Sequence, residues 1–323
     1  MINAVIRGTG SYLPIHALTN DEIADKLDTS NEWIHSRTGI SSRYLATDVE
    51  TTAFMAAACS KQAVNTACID VDQIDLIIAA TCTPDFFFPS TACRVKHELG
   101  IKRAIPAFDL GAACSGFIYA MDVAHQYLMS GTAANILVIG SERMSATVDW
   151  NDRTTCVLFG DGAGALILSS DKNCGVENSG IIASKLHSDF DTDGLLTYAN
   201  ATFNDQKHSK LKMRGNELFK VAVTRMGDLV DELLGIGKMT QADIDWLLPH
   251  QANIRIIKSI AKRLNLPMSR VIVTIEDQGN TSAASVPIAL DNAVRNHQIK
   301  RGDVVLIEAF GGGVTWGGML LRY

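Results

Sequence analysis

Short apolar runs, unbroken by polar alternation and separated by helix-length segments, set the pattern of this chain. Leu76-Ile77-Ile78, Ile136-Leu137-Val138-Ile139, Trp246-Leu247-Leu248 and Val304-Val305-Leu306-Ile307 are of this kind, as is Val271-Ile272-Val273-Thr274-Ile275. Such runs are buried on both faces, which predicts a mostly parallel sheet with helices on each side. Between them, 51–67 and 217–234 repeat apolar residues at helical spacing, the second through Phe219, Val223, Met226, Val230, Leu233 and Leu234.

The pattern is written twice. Gln73-Ile74-Asp75-Leu76-Ile77-Ile78 echoes Asp243-Ile244-Asp245-Trp246-Leu247-Leu248. Later in each half, an apolar strand leads to a glycine-rich turn and a second apolar strand, at Phe159-Gly160-Asp161-Gly162 and at Phe310-Gly311-Gly312-Gly313. The expectation is a duplicated, layered α/β fold, divided into residues 1–172 and 173–323. Cys114 and Asn280 lie at similar distances past Asp75 and Asp245, which predicts that they are topological equivalents, with His250 the counterpart of a residue near Ala80.

Composition narrows the function. The 323 residues are 47% hydrophobic and 20% charged, the balance of an ordinary globular protein rather than a disordered one. A net charge of −6 gives no general attraction to nucleic acid or anionic membranes, so any basic surface has to be local. The N-terminus lacks the charged lead and apolar stretch of a signal peptide, and no apolar run approaches the roughly 18 residues of a spanning helix. Seven cysteines without CxxC spacing fit reduced thiols in a cytoplasmic protein and no metal site.

Three residues stand where a buried run ends: Cys114 after Ala107-Phe108-Asp109-Leu110, His250 after Pro249, and Asn280 after Gly279. In α/β folds, chemistry gathers beyond the carboxyl ends of strands. Cys114 is flanked by small residues, Gly111-Ala112-Ala113 and Ser115-Gly116, which allow a tight turn into a helix. A helix start favours thiolate, so a lowered thiol pKa is expected. Cys59 and Cys68, in an Ala-rich helical stretch, read as core. Cys82 also ends a strand, but Pro84 follows and no helix start is available to activate it. Cys, His and Asn in this order also describe papain-like proteases; the missing aromatic after the cysteine and the internal repeat exclude them.

The stretches Asp109-Leu110-Gly111-Ala112-Ala113-Cys114-Ser115-Gly116-Phe117, Pro249-His250-Gln251-Ala252-Asn253-Ile254-Arg255, Gly279-Asn280-Thr281-Ser282-Ala283-Ala284-Ser285 and Phe310-Gly311-Gly312-Gly313-Val314-Thr315-Trp316-Gly317 resemble β-ketoacyl-acyl carrier protein synthase III. The likeness extends from Gly8 to Tyr323. It implies a thiolase-like fold in α-β-α-β-α layers and the initiating condensation of fatty acid synthesis, with acyl-CoA as substrate and no cofactor. Sibling condensing enzymes with another starter or acceptor share these motifs. Elongating synthases pair the cysteine with two histidines, thiolases need a second reactive cysteine, and a non-catalytic acyl-binding partner would not fill all three positions.

By the resemblance, Cys114 carries the acyl group, and His250 and Asn280 donate hydrogen bonds to the malonyl thioester. The backbone N–H groups of Cys114 and Gly312 form the oxyanion hole. CoA is implied to meet Thr29, Trp33, Arg37, Arg153, Gly215 and Asn253, with Trp33 and Arg153 sandwiching adenine. An acidic carrier protein needs a basic patch, and the segment Gln251, Ala252, Asn253, Ile254, Arg255, Lys258 and Lys262, with Arg263 beyond it, contains no carboxylate. The family resemblance further implies a homodimer in which Phe88 reaches the partner's acyl pocket. The bulk of Phe86-Phe87-Phe88 suggests a shortened pocket for acetyl or another small primer. Ser115 stands where alanine is common in the family and is expected to hydrogen-bond locally.

Overall fold

A computed structural model describes residues 4–170, 179–199 and 210–323. The expected division at 172/173 lies outside the described residues. One sheet orders its strands Val5–Tyr12, Asp161–Ser169, Asn135–Arg143, Leu76–Ala80 and Ala107–Leu110. The other orders Gly180–Ser188, Thr315–Arg322, Val304–Gly311 and Trp246–Pro249. Beyond Trp246–Pro249, the run at Val271 makes a single parallel bridge to Leu247 instead of the strand expected there, and Ile275 already begins a short helix. The second sheet therefore repeats the first, with its fifth strand reduced to a bridge.

The sheets are mixed rather than mostly parallel. Leu76–Ala80 runs parallel to both its neighbours, and Trp246–Pro249 runs parallel to Val304–Gly311; the remaining pairings are antiparallel. A parallel return needs a crossover of a dozen or more residues, usually a helix. The turn between Gly311 and Thr315 is far too short for one, and between Arg143 and Asp161 the only helical element is the 3-10 turn Met144–Ala146.

Helices Gly116–Met129 and Ser285–Arg295 pack between the sheets and touch both. Thr52–Ala67 and Thr91–Glu98 cover the outer face of the first sheet; Gly215–Gly237 covers that of the second and packs against Ile254–Arg263. Three apolar clusters fill the spaces between these layers. The central helices approach closely because small residues face the sheets: a side chain at Gly140 would lie 2.4 Å from the Ala283 carbonyl oxygen.

Each central helix is preceded by a 3-10 turn, Ala113–Ser115 or Ser282–Ala284, whose first residue is left-handed: φ is 45° at Ala113 and 51° at Ser282. Matching the turns pairs Cys114 with Ala283, which overturns the expected equivalence of Cys114 and Asn280. Asn280 lies ahead of its turn. His250 does match Ala80, since the Asp75 N–H bonds Asn135 O and the Asp245 N–H bonds Val304 O, both at 2.9 Å. Cys59 is buried as expected, but Cys68 is an exposed left-handed residue capping the end of Thr52–Ala67.

Candidate active site

Cys114, His250 and Asn280 line one cavity of about 300 Å³, together with Glu308, Phe310 and Gly311 at its inner end and Arg37, Gly215 and Arg255 at its exposed mouth. Cys114 is only 6% exposed. Gly311 presses on its turn: a Cβ there would stand 2.7 Å from Cys114 N, so only glycine fits. At Gly312, next in the chain, an added Cβ would meet Leu196 O at 3.1 Å. The Ser115 hydroxyl bonds Thr315 Oγ1 at 2.7 Å and Ala112 O at 2.8 Å, tying the cysteine turn to the neighbouring strand.

Burial pushes the Cys114 thiol up to about 11, only partly offset by a hydrogen bond with Ser282. This reverses the lowering expected from a helix start. The helix proper begins at Gly116, two residues on, and loss of hydration outweighs its field. At neutral pH the free thiol keeps its proton.

His250 donates its backbone N–H to Glu308 O at 2.8 Å, and burial lowers its imidazole to about 4. The ring is neutral at pH 7 and can present one N–H without a fixed charge. Asn280 is clamped by backbone bonds to Leu158 O and from the Gly160 N–H. Its Oδ1 accepts the Ser282 N–H at 2.8 Å, which leaves the amide NH₂ to donate. Gly279 sets this up at φ 65°, where a Cβ would also crowd Leu158 O at 3.0 Å.

Behind the thiol lies a polar cluster that the sequence pattern did not reveal. Glu142, fully buried, accepts from Thr83 Oγ1 at 2.6 Å, from Ser282 Oγ at 3.2 Å and from the Cys82 backbone. Cys82 Sγ lies 3.2 Å from Glu142. Burial, then Glu142, hold this second thiol well above its ordinary pKa, in keeping with its reading as unactivated.

Trp33 sits with Arg37 over its ring at 4.5 Å and Arg153 at 5.1 Å. Trp33 and Arg153 are thus brought together, but in direct contact; a base between them has to displace the guanidinium, which also bonds Asp28 O. Thr29 stands nearby with a buried hydroxyl lacking a partner among the described residues. Asn253 caps helix Ile254–Arg263, accepting the Arg255 N–H at 2.9 Å and donating to Arg37 O at 3.1 Å. Ala252 lines the cavity wall, and Ile254 packs beneath Gly39.

Two members of the expected basic patch drop out. Gln251 is 1% exposed and its amide is consumed by Pro249 O, Ile272 O and the Thr274 and Ile275 N–H groups, so it presents nothing to a partner. Arg263 pairs with Asp231 at 2.7 Å and Asp228 at 3.4 Å, carboxylates supplied by the adjacent helix. Arg255, Lys258 and Lys262 remain exposed, with Arg255 over the Phe219 ring. Phe88 is 86% exposed, beside exposed Phe86 and Phe87, and outside the cavity. Among the described residues, no cluster of three or more His, Cys, Asp or Glu is placed to hold a metal, and no helix is long and apolar enough to cross a membrane.

The 3-oxoacyl-[acyl-carrier-protein] synthase III family model matches residues 108–190, and its C-terminal counterpart matches 236–323. A β-ketoacyl-[acyl-carrier-protein] synthase III from Methylococcus capsulatus is 51% identical over 321 residues, 98% of each chain. The structure of 3-oxoacyl-[acyl-carrier-protein] synthase III from Aquifex aeolicus superposes with TM-score 0.93 and 46% identity, covering 99% of this chain and 100% of that one. The priming β-ketosynthase of the R1128 polyketide pathway superposes with TM-score 0.91 and 35% identity, covering 99% and 96%. Paired sheets around two central helices, with a cysteine heading one of them, define a thiolase-like fold. Within that class, the chain belongs to the β-ketoacyl-acyl carrier protein synthase III family.

Proposed function

We propose that this chain condenses a short acyl group, acetyl by preference, from acyl-CoA with malonyl-acyl carrier protein, giving 3-oxoacyl-acyl carrier protein and carbon dioxide. The observation that carries this reading is one cavity holding a buried cysteine thiol, a neutral imidazole and an amide NH₂ with no acceptor among the described residues.

In the first half-reaction the Cys114 sulfur attacks the acyl thioester carbonyl. The carbon–sulfur bond to CoA breaks, and CoA leaves with the thiol proton. The oxyanion formed on the way is held by the backbone N–H groups of Cys114 and Gly312. In the second, the malonyl carboxylate leaves as carbon dioxide, and the electron pair passes into an enolate whose oxygen takes hydrogen bonds from His250 and Asn280. Neutral donors suit this step, because a fixed positive charge would stabilise the carboxylate that has to leave. The enolate carbon then attacks the Cys114 thioester, the carbon–sulfur bond breaks, and the thiolate takes up a proton from solvent.

Arg37 at the mouth meets CoA phosphate, Trp33 and Arg153 open to take the adenine, and Thr29, Gly215 and Asn253 line the route inward. Arg255, Lys258 and Lys262 supply the local positive face for an acidic carrier protein. The exposed Phe86-Phe87-Phe88 loop is covered in a homodimer, with Phe88 closing the partner's acyl pocket.

Steady-state assay with malonyl-carrier protein and a panel of acyl-CoA primers tests the reading. Acetyl-CoA should give 3-oxobutyryl-carrier protein and outrun branched and medium-length primers. Turnover only with longer primers would assign the chain to a specialised sibling reaction instead.

A further inference from the structure

Glu308 is a lone acid inside the apolar run Val304-Val305-Leu306-Ile307, and it ends up in the catalytic cavity. It is 0% exposed, and neither carboxyl oxygen has a hydrogen-bond partner among the described residues. Its counterpart in the first sheet is Ile139: Ile139 pairs with Ala79, and Glu308 with Pro249. An unpaired carboxylate at such a site is strongly disfavoured, and burial pushes Glu308 up to about 8.

Among the described residues no charge compensates it. The cationic residues lining the cavity, Arg37 and Arg255, are exposed at its mouth and rest over Trp33 and Phe219. On the helices packed against its strand, Asp122 accepts from Ser184, Glu232 pairs with His187 and Lys185, Arg225 lies over Trp316, and Tyr119 donates to His187 O; His125 keeps a buried, unpartnered Nδ1. The titratable groups sharing the inner cavity with Glu308 are Cys114 and His250.

A neutral carboxylic acid is a donor in need of an acceptor. His250 directly follows Pro249, the residue paired with Glu308, and its Nδ1 is also buried with no partner. Of the buried unpartnered polar side chains among the described residues, these two are the ones lining the cavity.

We propose that Glu308 is a positioning residue: as a neutral acid it donates to Nδ1 of His250, directly or through one water, and so keeps the ring proton on Nε2, facing the malonyl thioester. The donor role of His250 under Proposed function is the reading this rests on. Active-site hydrogen bonds commonly tighten only when substrate is bound.

Two variants test it. Glu308→Gln keeps a neutral donor, whereas Glu308→Leu removes the donor and leaves an apolar group in a buried place, a change folding tolerates. Histidine ¹⁵N NMR of the full protein reads the tautomer without requiring turnover. Wild type and Glu308→Gln should hold His250 as the Nε2–H form at pH 7, and Glu308→Leu should shift the ring toward a mixture. Malonyl-thioester decarboxylation should fall about tenfold or more in Glu308→Leu, the scale seen when an orienting partner is lost, and stay within about threefold of wild type in Glu308→Gln. Raising pH through the Glu308 titration should slow wild type but not Glu308→Gln. An unchanged tautomer in Glu308→Leu, or an Nδ1–H ring in wild type, overturns the proposal. Absence of condensation with the tautomer still dependent on Glu308 would instead count against the proposed function.

Discussion

The two sheets share one strand order and carry different chemical groups at matching places. At matching turns before the central helices, the first carries Cys114 and the second Ala283, which is sealed against Gly140 in the apolar layer between the sheets. At matching strand ends the first has Ala80 and the second His250. At matching positions in the adjacent strand the first has Ile139 and the second Glu308. Duplication thus supplies two equivalent frames, and a handful of substitutions put the thiol on one and the imidazole and buried carboxyl on the other, which the proposed function uses as nucleophile and hydrogen-bonding groups.

The sharpest way to break this division is at the thiol. Cys114→Ala should abolish acyl-enzyme formation, since among the described residues Cys114 is the thiol that lines the cavity; tryptic mapping of the labelled protein checks it. Next in size, His250→Ala and Asn280→Ala should each slow condensation by about 10²–10³-fold, the scale for losing one donor to a developing oxyanion, with acyl loading retained. Separate loading and condensation assays distinguish the two effects.

Exchanging the mirrored residues probes stability. Ile139→Glu should cost about 3–5 kcal/mol in denaturant unfolding, the size of an uncompensated buried charge. Glu308→Leu should cost no more than about 1.5 kcal/mol, the net worth of one hydrogen bond, because the proposed bond to His250 Nδ1 is all its carboxyl has to lose among the described residues. Charge reversal at Arg255 and Lys258 should raise KM for the malonyl-carrier substrate by about tenfold and leave acyl loading untouched.

Stability should also depend on pH. Glu308 rises from its ordinary 4.5 to about 8 on folding, so the unfolded chain holds fewer protons between those values, and stability falls as pH rises through that window. His250 drops from 6.5 to about 4, so its contribution is lost as pH falls through that range. Melting temperature against pH should therefore be nearly level from about 4.5 to 6.5, where the two contributions oppose, and fall on either side; Glu308→Gln should remove the fall above 6.5 and carry the acid fall up to 6.5.

Much of this was legible in the chain because strand ends leave local marks. Small residues around Cys114, Pro249 before His250 and Gly279 before Asn280 record tight turns at which side chains leave the sheet. Strand direction was not legible: apolar runs report burial on both faces, and that is equally satisfied by antiparallel neighbours inside a layered fold. The matching of Cys114 with Asn280 failed because counting residues ignores the left-handed turn that sets the register. The thiol pKa was misjudged because a helix start is visible in sequence and the depth of burial is not. Gln251 and Arg263 were misplaced for a similar reason, since their partners come from Thr274, Ile275 and the Asp228–Asp231 helical turn, remote in sequence. Glu308 did leave a signal, one acid in an otherwise apolar strand, but its meaning depends on the cavity it faces.

On the proposed function, one frame takes the acyl group and the other drives condensation. Intact mass after acetyl-CoA, and again after malonyl-carrier protein, tests it directly in wild type, Cys114→Ala and the double variant His250→Ala/Asn280→Ala. Wild type should gain one acetyl group and then lose it, Cys114→Ala should gain none, and the double variant should load and stay loaded. An adduct on Cys114→Ala, or a double variant that discharges as fast as wild type, would contradict the account.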